Sequence, residues 1–204
     1  MTALAPAITA RRPAGRTMTD VALVVLGSLV IAGLAQISFG EVVPFSGQTL
    51  GVMLVAGSLG AVRGGSATLL YLVEGAMGLP FFAQGKSGLA YVTSMDPLHT
   101  TGGYLWGFVI AAVLIGYLCE QGWDRKVSSA IGAMFLGEIV IFAFGLWWLQ
   151  QALDIPLKTT LEFGLYPFVI GDVAKVLIAA GALPTAWKLL GKGADSPGGA
   201  KPGI

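Results

Sequence analysis

Two oppositely charged residues, Asp172 and Lys175, lie in an otherwise apolar stretch that runs from Pro167 to Pro184. Because they are three residues apart, both side chains project from about the same face of a helix. A charge at membrane depth costs about 2.5–3.5 kcal/mol on insertion scales, so folding alone does not explain either residue. Each charge can offset the other's desolvation, and both can contact a polar ligand. The pair predicts a binding site for a small polar molecule inside a bundle of membrane helices.

The composition of the chain is that of a membrane protein. Its 204 residues are 55% hydrophobic and 11% charged, whereas soluble domains carry about 25% charged residues. The net charge is close to zero, which argues against nucleic acid as a partner and leaves the lipid bilayer as the expected environment. A single cysteine, Cys119, excludes an internal disulfide and a multi-cysteine metal site. No cleavable secretory signal is expected, because the first apolar run is long enough to be a membrane helix.

Six segments are apolar enough to form helices across a bilayer, which needs about 20 residues. The sequence therefore predicts an all-α polytopic membrane protein, a bundle of six transmembrane helices at 19–39, 48–63, 65–80, 102–120, 127–150 and 167–190. The second and third segments are short and also fit a helical hairpin that turns at Arg63-Gly64-Gly65. Residues 1–18 and 191–204 are rich in proline, glycine and polar residues, which predicts disordered tails on either side of a membrane domain at 19–190.

The distribution of basic residues predicts the orientation of the bundle. With both termini in the cytoplasm, nine of the twelve basic residues lie on the inner side, and only Lys86 and Lys158 lie outside. At about 1.5 Å per residue, Asp172 then lies about 7 Å and Lys175 about 12 Å below the outer helix end at Pro167. The predicted pocket therefore opens outward, as the capture site of an importer would.

A lysine in an outer loop has two interpretations. Gly85-Lys86-Ser87 has the form of the end of a phosphate-binding loop, but the glycine that this pattern needs at position 80 is Pro80. The chain is therefore expected to have no ATPase of its own. Lys86 is either a solvated loop lysine or part of a lid that meets an anionic ligand.

Other polar and aromatic residues also leave alternatives open. Glu74 and Glu138 are intramembrane carboxylates for which a structural and a functional role fit equally well. Trp147 and Trp148 fit an interfacial aromatic belt, or one of them stacks on a flat ligand ring. His99 has no evident partners for a catalytic triad or a metal site. The sequence predicts no catalytic residue, no metal and no cofactor.

Several short motifs follow one another along the chain. They are Val43-Pro-Phe-Ser-Gly-Gln-Thr-Leu50, Ala56-Gly-Ser-Leu-Gly60, Tyr71-Leu72, Gly75-xx-Gly-Leu-Pro-Phe-Phe-Ala83, Gly102-Gly-Tyr-Leu-Trp-Gly-Phe108 and Pro167-Phe-xx-Gly-Asp-xx-Lys175. Over about 43–175 this order resembles the BioY family, the biotin-binding S components of energy-coupling-factor vitamin importers. The chain departs from the family pattern at 99–101, where Gly-Pro-Thr is usual.

The resemblance implies six helices, capture of biotin from outside, a lid of outer loops, and contact of Asp172 and Lys175 with the polar groups of the ligand. The ureido ring of biotin has two N–H donors for a carboxylate and a carbonyl that accepts from an ammonium. Lys86 is the candidate partner of the biotin carboxylate. The expected ligand-binding residues are Asp172, Lys175, Lys86, Gln48, Tyr104, Glu74 and Trp148.

The resemblance also implies partners and a location. A transmembrane coupling subunit and ATPase subunits of an energy-coupling-factor module would supply energy, and a solitary transporter is the variant hypothesis. The expected location is the plasma (inner) membrane of a prokaryote, which the chain crosses several times. The alternatives are an S component for another vitamin and a membrane-embedded enzyme, which would need a nucleophile–base pair or a metal cluster. A structural assembly subunit would leave the buried charge pair without a purpose.

Overall fold

The structure is a computed structural model that describes residue 4 and residues 16–40 and 43–194. The predicted tails, 1–18 and 191–204, lie mostly outside these residues. The ranges 16–40 and 43–194 contain eight helices and a two-stranded β-hairpin. In chain order they are α1 (Arg16–Ala35), β1 (Ser38–Phe39), β2 (Phe45–Ser46), α2 (Gln48–Leu59), α3 (Ala61–Ala76), α4 (Ala90–Thr93), α5 (Gly102–Glu120), α6 (Val127–Leu153), α7 (Leu157–Gly164) and α8 (Val169–Ala194).

The predicted helical membrane fold is confirmed, and four of the helices in the described ranges are long and apolar enough to cross a membrane. These candidate spans are Thr17–Ala35, Gly102–Glu120, Val127–Leu153 and Val169–Leu189. Helices α2 and α3 have only 12 and 16 residues. At 1.5 Å per residue they extend about 18 and 24 Å, less than the hydrocarbon core of about 30 Å. Each of the six predicted segments thus contains a helix, and two of these helices are short.

Helices α2 and α3 form a tight hairpin that turns at Gly60. This residue has a φ of +85°, in the left-handed region that favours glycine. A Cβ at Gly64 would lie 2.7 Å from the Cα of Ala56, so the two helices touch just beyond the turn. The predicted turn at Arg63-Gly64-Gly65 is wrong, because all three residues lie inside α3. Glycine at position 64 permits close packing rather than a chain reversal.

Helix α5 lies at the centre of the bundle. It packs against α2, α3 and α6, while α8 packs against α2 and α6. Close approach depends on small residues, since a Cβ at Gly145 would lie 2.3 Å from the ring of Tyr104. Helices α2, α5, α6 and α8 therefore surround a common interior near one end of the bundle. That end, which carries β1 and β2, is called the β end below.

The opposite end of the bundle is fastened by a small polar cluster. Trp187 of α8 donates its indole N–H to Asp124, which is fully buried in the turn between α5 and α6. The guanidinium of Arg125 lies 3.5 Å from the centroid of the Trp187 ring. Burial raises the pKa of Asp124 above its usual range. These contacts hold the α5–α6 turn against α8.

Many large apolar side chains face outward from the helices. Leu29 of α1, Phe135 and Ile139 of α6, and Leu177 and Ile178 of α8 are all exposed. So many large exposed apolar side chains are unusual for a soluble monomer. Lipid contact accounts for these positions, because apolar side chains on the outside of a bundle are the expected state in a bilayer.

Candidate ligand-binding site

A cavity opens inside the bundle near the β end, between α2, α5, α6 and α8. Its empty volume is about 610 Å³, which includes solvent at its mouth. Pockets for small molecules commonly hold about 300–1,000 Å³. The structure brings five of the seven predicted ligand-binding residues to its lining, namely Asp172, Lys175, Lys86, Gln48 and Tyr104.

The two charged residues of α8 form an ion pair in the cavity wall. Lys175 Nζ donates to Asp172 Oδ1 at 2.7 Å and to Thr49 Oγ1 of α2 at 3.0 Å. Both charged side chains are buried. Asp172 lies in the first turn of α8, where the positive end of the helix dipole favours a carboxylate. The pair is therefore held in place from two helices.

An aromatic side chain from the β-hairpin covers this pair. The Phe45 ring lies 4.1 Å from Lys175 Nζ and stacks on Phe168 with ring centroids 6.2 Å apart. Gly171 of α8 makes room for it, because a Cβ there would lie 2.1 Å from the Phe45 ring. The hairpin and the first turn of α8 thus pack as one unit over the charges.

The loop that carries Lys86 is fastened to the same hairpin. Gln84 donates its backbone N–H to Ser38 Oγ at 2.8 Å and its side-chain amide to the carbonyl of Gly40 at 2.5 Å. Gln84 has a φ of +62° and Gly85 a φ of +67°, which turns the chain so that Lys86 reaches the cavity. Lys86 is half-buried at the mouth. The loop and the hairpin together form the rim of the cavity.

Gln48 lies in a chain of buried hydrogen bonds. Its side-chain oxygen accepts from Ser46 Oγ at 2.8 Å, and its amide donates to Tyr71 Oη at 2.5 Å. Tyr71 Oη in turn donates to the carbonyl of Phe81 at 3.2 Å. The chain connects β2 to α3 and to the loop that follows α3. The second amide hydrogen of Gln48 has no partner among the residues that the structure describes.

Tyr104 joins the far wall of the cavity to the end of α7. Its hydroxyl donates to the carbonyl of Gly164 at 2.9 Å. The ring is buried against Gly145 of α6 and lines the cavity. Tyr104 therefore presents a fixed aromatic surface to the interior.

Two predicted ligand-binding residues lie outside the cavity lining. Trp148 is buried, packs on Gly102 and Gly103 of α5, and donates its indole N–H to the carbonyl of His99 at 2.9 Å. Glu74 lies on α3, and its Oε2 has no hydrogen-bond partner among the residues that the structure describes. Neither residue is among those that line the cavity.

The single histidine, His99, lies in the loop between α4 and α5. His99 Nδ1 lies 2.9 Å from Asp96 Oδ1. This hydrogen bond lowers the pKa of Asp96 below its usual range. The part of the chain that the structure describes holds no cluster of three His, Cys, Asp or Glu side chains suited to a metal ion.

Sequence reasoning missed several residues of the site. Thr49, Phe45 and Phe168 contact the ion pair or cover it. All three stand in the motifs Val43–Leu50 and Pro167–Lys175, next to residues that the sequence did single out. Their position within these motifs was a signal that could have found them.

The sequence profile of the BioY family matches residues 7–192. The chain belongs to the BioY family. This confirms the resemblance carried by the motifs. A biotin transporter BioY of Rhizobium etli is 36% identical over 172 residues, which cover 79% of this chain and 89% of the relative. A biotin transporter BioY of Thermotoga maritima is 35% identical over 159 residues, which cover 78% of this chain and 86% of the relative.

A solved structure has the same fold as this BioY-family chain. It is the crystal structure of the S-component for biotin from an ECF-type ABC transporter, which matches with a TM-score of 0.71. The match covers 87% of this chain and 95% of the other, at 23% sequence identity. At that identity the comparison shows the fold.

Proposed function

We propose that the chain is the substrate-capture subunit for biotin uptake, a transport subunit rather than an enzyme. The observation that carries the proposal is the buried Asp172–Lys175 ion pair, which lines a cavity of small-molecule size in a BioY-family bundle. Buried intramembrane ionisable groups are costly, and function is the default reason for keeping them. Biotin is proposed as the ligand because the relatives are named biotin transporters.

The chemistry of the pair suits the ureido ring of biotin. A carboxylate has about four lone-pair sites, so Asp172 can accept from Lys175 and still accept from ureido N–H groups. An ammonium has three donors, and Lys175 directs two of them at Asp172 and Thr49. The third donor is available to the ureido carbonyl.

The rest of the cavity suits the remaining parts of the ligand. The aromatic side chains of Phe82, Tyr91 and Phe108 in the lining offer apolar surface to the bicyclic body. Lys86 at the rim offers a cation to the carboxylate tail. Gln48 and Tyr104 are proposed as further ligand contacts.

Glu74 and Trp148 are proposed to act through the walls that they support. Trp148 fixes the loop of His99 and the start of α5. Glu74 precedes the segment that leads to Lys86. Both residues lie beside elements that carry lining side chains. A change at either residue would therefore shift those side chains without any direct ligand contact.

We further propose six membrane-crossing helices with both termini in the cytoplasm of a prokaryote, so that the β end faces outward. The excess of basic residues on the other side supports this orientation. Energy would come from a transmembrane coupling subunit and ATPase subunits, because no nucleotide-binding motif was found in the sequence.

Uptake of labelled biotin by cells that lack their own biotin importer tests the proposal. Cells that express the chain with an energising module should accumulate biotin above the level of cells with an empty vector. Asp172→Ala, produced at equal level in the membrane, should abolish the gain. If correctly inserted wild-type protein gives no gain with or without the module, the proposed function is wrong.

A further inference from the structure

A buried carboxyl group lies beside the ligand site without any described partner. Glu138 of α6 is 5% exposed, and neither of its oxygens has a hydrogen-bond partner among the described residues. It precedes the lining residues Ile141 and Phe142 by three and four positions, so it projects from the same helix face one turn deeper. The cavity thus has an acidic group directly beneath its wall.

The charges near Glu138 come from α8. Asp172 repels a negative charge on Glu138, and Lys175 attracts it. From α5, the apolar side chain of Ile115 packs against Gly137 of α6. The phenolic hydroxyl of Tyr104 lies further toward the β end, where it donates a hydrogen bond to the carbonyl of Gly164 in α7.

Helix α2 also packs on α6 and carries no ionisable side chain between Gln48 and Leu59. The turn at Asp124–Arg125 lies at the opposite end of the bundle, and α7 carries Lys158 and the exposed Glu162. These charged groups lie at the two ends of the bundle. The charges that act on Glu138 are therefore those of the Asp172–Lys175 pair.

Charge balance makes the protonation of Glu138 important. With Glu138 ionised, two carboxylates would share one ammonium in a low-dielectric interior, where an uncompensated carboxylate is strongly unfavourable. The ionised group would also draw the ammonium of Lys175 toward α6. That movement would take a donor away from the cavity and weaken the pair with Asp172.

We propose that Glu138 is a proton-binding site coupled to the ligand site. A ligand that accepts from Lys175 and carries its own negative charge is held when Glu138 is protonated. Loss of this proton weakens ligand binding. The proton is taken up from solvent when the ligand binds and returns to solvent on release, so charge and atoms balance. The inference rests on the proposed function for the identity of the ligand.

Glu138→Gln tests the coupling, because glutamine has the shape of a protonated glutamate and does not ionise. Biotin affinity of the purified wild type should fall with rising pH, with a limiting slope of about tenfold per pH unit for one linked proton. The affinity of Glu138→Gln should stay level over the same range. Glu162→Gln, which changes an exposed carboxyl on α7, is the matched control and should follow the wild type.

Calorimetry in buffers of different ionisation enthalpy gives a second readout. In the alkaline part of the pH range, wild-type protein should take up about one proton per bound biotin, and Glu138→Gln should take up none. Identical pH profiles and identical proton uptake in the two proteins would overturn the proton site, since Asp172, Lys175 and the ligand are common to both.

A measurement without ligand separates this inference from the proposed function. The proposed site requires that Glu138 keep its proton in the folded protein at a pH at which the unfolded chain releases it, so the stability that this proton contributes is present in acid and lost as pH rises. The melting temperature of the wild type should therefore fall relative to that of Glu138→Gln as pH rises. Such a difference, with no biotin binding by either protein, would refute the biotin assignment and retain the proton site. Parallel melting curves would refute the proton site.

Discussion

The ammonium of Lys175 lies 4.1 Å from the centre of the Phe45 ring, although the two residues belong to opposite ends of the sequence. A cation over an aromatic face gains about 2 kcal/mol when both are desolvated. Because Phe45 is on the β-hairpin and Lys175 is on α8, the contact connects the rim of the cavity to its charged wall. Movement of the hairpin would therefore remove the ring face that stabilises the ammonium of Lys175, and loss of the ammonium would remove a contact that holds the hairpin.

Phe45→Leu should weaken biotin binding about tenfold or more, because leucine fills space but offers no ring face to the ammonium. Phe45→Tyr keeps the face and should bind nearly as the wild type does. Isothermal titration of the purified variants measures both. Equal affinity of Phe45→Leu and the wild type would show that the ring does not contribute to the site.

Asp172→Ala should reduce biotin affinity more than Lys86→Ala. Removal of Asp172 leaves the buried Lys175 without its partner, and loss of one member of such a pair costs about 3–5 kcal/mol. Lys86 is half-buried at the rim, where an ion pair contributes about 1 kcal/mol or less. Equilibrium binding should thus show a loss of roughly a hundredfold or more for Asp172→Ala and under about tenfold for Lys86→Ala.

Thermal unfolding in detergent provides the control for that comparison, since part of the Asp172 effect can appear as lost stability. Asp172→Asn keeps the volume of the side chain and removes its charge. If folded Asp172→Asn and Asp172→Ala both bind biotin with wild-type affinity, Asp172 has no part in the site.

Trp148→Phe should lower stability and leave biotin affinity close to the wild-type value. The change removes the indole N–H that donates to the carbonyl of His99, and an unsatisfied buried polar group costs about 1–3 kcal/mol. Trp147→Phe is the matched control, because Trp147 is exposed and should tolerate the change. A large loss of affinity in Trp148→Phe with unchanged melting would instead indicate direct ligand contact.

Cysteine labelling tests the orientation of the bundle. With Cys119 replaced by alanine, single cysteines at Ser87 and Gln121 place a thiol at the β end and at the opposite end of the bundle. A membrane-impermeant thiol reagent applied to intact cells should label position 87 and not position 121. Labelling at 121 with protection at 87 would put the cavity on the cytoplasmic side and exclude capture from outside.

The sequence predicted the charged core of the site and the helices that carry it. The apolar runs made the helices evident, and two charges in such a run had no structural explanation. The turn of the α2–α3 hairpin was harder to place, since Gly60, Gly64 and Gly65 are all available. The position of the turn depends on α5, because Gly116 of α5 packs directly against the turn at Gly60.

The role of Trp148 was equally hidden from the sequence. An aromatic residue near a helix end fits a lipid interface, a ligand contact or a packed core. Gly102 and Gly103 on α5 leave the space that the Trp148 ring fills, and the carbonyl of His99 accepts its N–H. These partners lie far away in sequence, so the packing of the Trp148 ring could not be predicted from the sequence.

Equilibrium binding of biotin to the purified chain in detergent, without ATP or any partner subunit, is the sharpest test of biotin capture by this chain. Saturable binding at about one biotin per chain is expected, because the charged pair and the aromatic walls of the cavity all belong to this chain. Riboflavin and thiamine at the same concentrations serve as ligands of different shape and should not compete. Well-folded protein that fails to bind biotin, or that another vitamin saturates instead, would refute biotin capture by this chain.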